Sequence, residues 1–320
     1  MKTKILFLII SLFSISLLIA GENGGYAGSF LRMGVGARSN ALGNAGVADR
    51  PNGYSFYYNP SATAFLENKI VSLSYSFLSL DRKFNFIGFS MKVPPSAGFS
   101  LALINTGVDN LIAYNSLGEV SGDLNQSANG AFFNFAKKFG EKISIGLSIK
   151  YVWESISAEG EDYNYSSNGV GWDFGLTYLF NNDLTLAAMV RDVGTKFKAN
   201  TSDLREYGGT TIDQFPNLYN VGFRYVTPVR WLRVLYDFEW SEKEAYKNHV
   251  GIEAVYLPGT ESASAENLAV RLGVNGQDFV AGAGMGFELF GYKSYLDYAF
   301  VPSIIDEGSS HIFSWQFYLK

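Results

Sequence analysis

From about residue 70 to its end, this chain alternates apolar and polar residues with a period of two, a pattern that only β-strands satisfy. Val71 to Phe77 alternates apolar side chains with serine, and Ile143, Ile145, Leu147, Ile149 and Tyr151 alternate with Ser144, Gly146, Ser148 and Lys150. Trp172/Phe174/Leu176/Tyr178, Tyr219/Val221/Phe223/Tyr225 and Phe313/Trp315/Phe317/Leu319 repeat it. About fourteen such segments are bounded by turn signals. They cover 70–78, 84–91, 98–104, 129–136, 143–153, 170–180 and 184–191, then 218–226, 231–239, 249–256, 268–274, 281–289, 293–300 and 312–319. Each strand has one apolar and one polar face. That suits a soluble sandwich or barrel with a greasy interior, or a membrane barrel with a greasy exterior.

Glycine and charge choose between them. Gly146, Gly175, Gly222, Gly251, Gly273, Gly282, Gly284 and Gly286 all fall on the polar parity. A face turned to water would more usually carry Lys, Thr and Glu, whereas bare glycine leaves room where another piece of chain comes close. The same parity carries Lys150, Asp173, Arg224, Arg233, Asp237, Glu239, Glu253, Arg271, Glu288 and Asp297. These near-balanced signs suit ion pairs in a confined lumen better than a single-sign ion pore. Only 17% of all residues are charged and 16% are aromatic, against roughly 25% charged in soluble domains. The expected fold is all-β, a transmembrane antiparallel β-barrel of about fourteen strands with an N-terminal hatch or plug. Long connections (105–128, 154–169, 192–217, 241–248) fall at one end and tight ones at 139–141, 181–183 and 290–291 at the other. The connection 257–267 is long on the short side.

Lys2 and Lys4 followed by an apolar run to Ala20 describe a signal peptide over 1–20, which leads to the bacterial outer membrane. Residues 21–69 do not alternate and form the expected hatch, with 70–320 as barrel. Gly34-Val35-Gly36-Ala37-Arg38 lacks the strand before it and the Gly-Lys-Ser/Thr ending of a phosphate loop. Asn59-Pro60 starts a short helical turn. With no cysteine, two histidines and a net charge of −5, disulfide frameworks, thiol chemistry and nucleic-acid binding are set aside. No cofactor or metal is expected: the acids Asp109, Asp123, Glu159, Glu161 and Asp162 lack EF-hand spacing. No enzyme is expected either. His311 with Asp306 and Ser309 is the one triad that can be drawn, and no Gly-x-Ser-x-Gly elbow accompanies it.

Phe30-Leu31, Gly34-Val35-Gly36-Ala37-Arg38, Leu42-Gly43-Asn44-Ala45 and Tyr57 to Ala62 resemble the N-terminal pattern of the PorV/PorQ family, which is related to FadL-type outer-membrane transporters. Leu296 to Phe300 and His311 to Trp315 resemble that family's last two strands. The resemblance implies a fourteen-stranded barrel whose hatch motif comprises Gly34, Gly36, Ala37, Arg38, Gly43, Asn59 and Pro60. It also implies a role in type IX secretion or surface attachment, with exported proteins or secretion components as partners. Loop residues Leu111 to Tyr114 and Phe215 to Leu218 would make the contacts. The alternative is FadL-like transport of a hydrophobic small molecule, with Phe56, Tyr57, Tyr58 and Met189 lining a pocket.

Overall fold

The computed structural model describes residues 26–114, 117–158, 164–200, 208–243, 246–256, 268–302 and 308–319; the signal-peptide region and the 257–267 connection lie outside them. The first strands are β1 (Lys69–Phe77), β2 (Arg82–Val93), β3 (Ala97–Tyr114), β4 (Val120–Phe139), β5 (Ile143–Ala158) and β6 (Asn164–Leu179). Next come β7 (Leu184–Val193), β8 (Lys196–Asn200), β9 (Thr210–Gln214), β10 (Leu218–Val226) and β11 (Leu232–Ser241). The last are β12 (Lys247–Tyr256), β13 (Leu268–Asn275), β14 (Asp278–Leu289), β15 (Tyr292–Val301) and β16 (Ser310–Leu319). Fourteen of these close into an antiparallel barrel, in which β7 pairs with β10 and β1 meets β16 from Lys69↔Leu319 to Phe77↔His311. The other two, β8 and β9, form a hairpin that continues the wall beside β6 above the end of β7.

The barrel is inside out relative to a soluble protein. On β5, Ser144, Ser148 and Lys150 are buried while Ile143, Ile145 and Tyr151 are exposed. On β6, Asp173 and Thr177 are buried and Trp172, Phe174, Leu176 and Tyr178 are exposed. Lipid is the solvent that makes this arrangement favourable, because apolar side chains face it and the closed sheet leaves no strand edge.

Strand lengths differ from the sequence expectation at one end. The stretches expected as loops at 105–128 and 154–169 are largely strand: β3 runs 18 residues and β4 20. At roughly 3.3 Å per residue these run about 60 Å, well beyond what a ~25 Å apolar band takes up even at the usual strand tilt. Where they leave that band, an outward ladder forms. Asn85 Nδ2 donates to Asn105 Oδ1 (3.3 Å), and Asn105 Nδ2 to Asn129 Oδ1 (2.7 Å). Beyond it β4 and β6 are mostly polar on both faces while β3 ends in Leu111, Ile112, Ala113 and Tyr114, so strict alternation stops while the ladder of backbone bonds goes on.

The segment before β1 fills the bore. It makes short helical turns at Ser29–Arg32, Ala37–Ala41, Ser55–Tyr58 and Pro60–Phe65, and nearly all of residues 30–66 is buried. Asn59 caps the last turn by accepting from Ser61 N (3.0 Å), and its Nδ2 donates to Val47 O (2.9 Å) and to Thr177 Oγ1 of β6 (3.2 Å). Plug backbone presses on wall backbone where the wall has glycine. A β-carbon at Gly146 would lie 2.3 Å from the Pro60 carbonyl carbon.

Candidate functional site

The site is the plugged lumen, and its two halves differ in chemistry. One half is ionic. Arg233, Glu253 and Arg271 sit directly opposite one another across β11, β12 and β13, all pointing inward. Glu253 Oε2 accepts from Arg233 Nη1 (3.0 Å) and Oε1 from Arg271 Nε (2.8 Å), while Arg271 Nη1 donates to Asp297 Oδ1 (2.7 Å). Into this ladder the turn Ala37–Ala41 inserts Arg38. Its Nε and Nη2 reach the two Glu253 oxygens at 3.1 and 2.9 Å, and Nη1 pairs with Asp49 of the plug itself. Glu253 is fully buried and Arg38 is 2% exposed. Losing one partner of such a pair costs about 3–5 kcal/mol, because the other charge stays buried. Further ties on this side are neutral or singly charged. Ala37 N donates to Ser314 Oγ, Val47 N to Asp237 Oδ2 and Gly53 N to Gln316 Oε1, all within 2.9 Å, and His249 Nδ1 meets Gly43 O at 2.9 Å.

A second ionic knot lies on the adjoining wall. Lys150 Nζ is 2.6 Å from Asp173 and 2.5 Å from Asp192. The β6–β7 register shifts between Trp172 and Phe174, and Asp192 takes a left-handed backbone (φ 66°). This bulge turns two consecutive side chains inward. Asp192 goes to Lys150; Arg191 donates from Nη2 to Tyr57 O (2.8 Å) and lies 4.7 Å over the Tyr57 ring. Burial pushes the Tyr57 phenol up to about 12, so it stays protonated and donates to Leu31 O at 2.5 Å.

The other half is apolar. Plug residues Phe30, Leu31, Val35, Tyr54, Phe56, Tyr57 and Tyr58 pack on Phe84 and Phe86 of β2, Ala102 and Ile104 of β3, Ala128 and Phe132 of β4, and Val152 of β5. Phe56 stacks on Phe86 (ring centroids 6.1 Å) and tilts against Phe132 (5.9 Å). Phe197 of β8 and Phe215 close the cluster at the long-loop end. Above them opens a mouth cavity of about 330 Å³ lined by Tyr26, Lys196, Gln214, Phe215, Asn217 and Lys243, among others. Between the halves a polar cavity of about 50 Å³ is bounded by Arg32, Tyr57, Tyr58, Arg191, Glu239 and His249, with other residues.

The expected lumenal charges divide three ways. Lys150, Asp173, Arg233, Asp237, Glu253, Arg271 and Asp297 are buried in the bore. Arg224 and Glu239 are half-buried there, Glu239 accepting from Asn220 at 2.8 Å. Glu288 is exposed, near the short turn after β14 where the bore meets water. The hatch residues Gly34, Gly36, Ala37, Arg38, Gly43, Asn59 and Pro60 all lie within the plug. The four expected pocket residues are not brought together. Phe56, Tyr57 and Tyr58 join the aromatic cluster, but Met189 packs with Val47, Ala48 and Ala187 on another wall. His311 sits on the outer face in an aromatic belt, 2.8 Å from Tyr298 OH and 3.4 Å from Ser309 Oγ, while Asp306 lies outside the described residues. Glu159, Glu161 and Asp162 lie outside them too.

Sequence reasoning missed Asp192, because a bulge breaks parity without any sequence mark, and Asp49, which lies in the non-alternating plug; Arg191 was legible, since it shares the inward parity of Ala187 and Met189. It also missed the wall aromatics. A signal for those existed: Phe84, Phe86, Ile87 and Phe89 put apolar residues on both faces of β2.

A closed fourteen-stranded barrel with a folded plug and a lipid-facing exterior defines a plugged outer-membrane β-barrel. The solved structures it is similar to carry that fold. The Pseudomonas putida toluene transporter TodX aligns with TM-score 0.60 at 13% identity, over 89% of this chain and 99% of that one. The CymD monoaromatic hydrocarbon channel gives 0.57 at 14%, over 90% and 98%. A Pseudomonas aeruginosa FadL homologue gives 0.55 at 11%, over 86% and 95%. No family model and no curated protein matches the chain. At these identities the likeness is one of fold, and it lies with FadL-type channels; the PorV/PorQ resemblance finds no support in the comparisons.

Proposed function

We propose that this protein is an outer-membrane channel for hydrophobic small molecules, of the kind its structural neighbours are described as. The observation that carries the reading is the aromatic half of the lumen. A barrel built only to be closed could tie its plug to the wall chiefly through polar groups and small apolar contacts, as it does along β11 to β16. Instead an apolar interface runs from the mouth cavity deep into the bore, and an apolar solute would meet compatible surface along it. Toluene uptake tests this, in cells whose outer membrane lacks other hydrocarbon channels, with and without the chain. Faster uptake with the chain is expected; an unchanged rate at equal surface expression sinks the reading.

Docking of exported proteins stands second. In its favour, Ile112, Tyr114, Leu117 and Val120 at the β3–β4 tip are 51–80% exposed, far beyond the lipid band. A stoichiometric exported protein co-purifying from native membrane would favour this reading, while co-purified hydrophobic small molecule would favour the first.

A further inference from the structure

We propose that the tight-turn end of the bore holds an oxyanion site: Arg224 of β10, with Arg233 of β11 beside it and Arg50 of the plug, takes one phosphate or carboxylate group of a small solute from the periplasmic solution. The proposal stands apart from the channel reading, and either can fail without the other.

Where plug residues 47–50 cross the wall, charges of both signs gather. Arg38, Arg50, Arg224, Arg233 and Arg271 bring five guanidiniums, and Asp49, Asp237, Glu253 and Asp297 bring four carboxylates. Each carboxylate is engaged without Arg224. Asp49 pairs with Arg38 and accepts from Arg50 N (2.7 Å). Glu253 takes Arg38, Arg233 and Arg271, and Asp297 takes Arg271. Asp237 accepts from Val47 N (2.8 Å), with its other oxygen lying over Gly222. Among the described residues the Arg224 side chain has no hydrogen bond or ion pair, although its Nε is shut off from solvent. Its charged neighbours are Asp49 and the guanidiniums of Arg233, Arg38 and Arg50, so three of the four repel it.

A guanidinium has five donors and no acceptor, and enclosing one among other cations is unfavourable unless a negative charge joins it. Water satisfies a donor without cancelling the charge. An oxyanion does both, and two of its oxygens match the planar guanidinium fork. The register puts Arg233 diagonally beside Arg224, since Arg224 faces Leu235 while Arg233 faces Val226. Arg224 stands two residues before the end of β10 and its tight turn, the periplasmic side in barrels of this kind. Both Arg224 and Arg50 are half-buried, within reach of water at that end.

The test uses the full chain purified in an uncharged detergent, which carries no phosphate of its own, and reads the rate at which a protease clips the plug. Inorganic phosphate is expected to slow cleavage at least fivefold, and chloride at the same ionic strength to leave it within twofold. Arg224→Gln should abolish the response to phosphate, while Arg224→Lys, which keeps the charge but not the fork, should retain at most a twofold part of it. Without phosphate, Arg224→Gln should resist cleavage at least as well as the unsubstituted chain, the reverse of what losing a protein partner would do. Fast migration on unheated gels checks that each variant is folded. No protection of the unsubstituted chain by phosphate overturns the site whether or not the variants fold. Equal protection of Arg224→Gln, or faster cleavage of that variant without phosphate, overturns it as well.

Discussion

At the scale of single residues, Arg38 and Gly43 carry the plug's position. Arg38→Ala leaves Glu253 with Arg233 and Arg271 but cuts a charged tie between plug and wall and takes the guanidinium from buried Asp49, which keeps the Arg50 amide. The expected loss in plug docking is about 3–5 kcal/mol, read as higher single-channel conductance in planar bilayers and faster proteolysis of the plug. Arg271→Ala acts one step away, through Glu253 and Asp297, and should raise both readouts less. If neither variant changes conductance or cleavage, the ionic ladder does not hold the plug. Gly43 has φ +68°, and a β-carbon there would lie 2.3 Å from the Val274 carbonyl oxygen. Left-handed backbone costs a residue with a β-carbon about 1–2 kcal/mol before any clash, so Gly43→Ala should loosen the plug turn against β12 and β13. Unaltered protease resistance of the plug in that variant would contradict the close approach.

At the scale of elements, β3 and β4 obey two solvents along one length. Below Asn105 their outward row is Leu101 and Leu103 on β3 and Phe133 and Phe135 on β4, all exposed; above it the outward row turns polar. The asparagine ladder therefore marks the edge of lipid contact. Asn105→Leu should extend the apolar band upward, seen as stronger quenching of Trp153 fluorescence by lipids brominated near the headgroup, against a Trp153-only background. The projecting tip lies outside the hydrophobic belt that holds the barrel closed. Replacing residues 109–122 by a tight turn is expected to preserve the folded barrel's characteristic fast migration on unheated gels. Loss of that migration would show that the tip takes part in closure.

At the scale of the whole molecule, the plug makes a wide barrel into a filled one. A bore of fourteen strands is too wide for wall side chains to fill by themselves, and this chain fills it with plug residues that are almost all buried. Deleting residues 26–66 should convert the protein into an open pore of large, steady conductance. A closed barrel from that deletion would mean that loops, not the plug, occlude it.

Much of this architecture is legible in the order of residues alone. Glycine parity places Gly146, Gly175 and Gly273 against the plug because close approach excludes a side chain, and the fold puts Pro60, Asn59 and Gly43 beside them. The strand number is legible because lipid enforces strict alternation on every crossing. Strand ends are not, since the pattern fades once both faces of β3 to β6 meet water. The site is legible only in part. Parity gives Glu253 and Arg271 an inward direction but cannot say that Arg38 completes their ladder, because that pairing joins residues 215 positions apart. The bulge at Arg191–Asp192 depends on how β7 sits against β6, a relation no single segment contains.

By itself, then, the sequence determined what each strand turns toward lipid and what it turns inward, because one apolar face per strand is a local property of period two. Only the tertiary structure decided how the bore is shared, ionic along β11 to β16 and aromatic along β2 to β5. Which wall a plug residue meets is set by closing the sheet around it, and closure brings together side chains whose distance along the chain carries no trace of their contact.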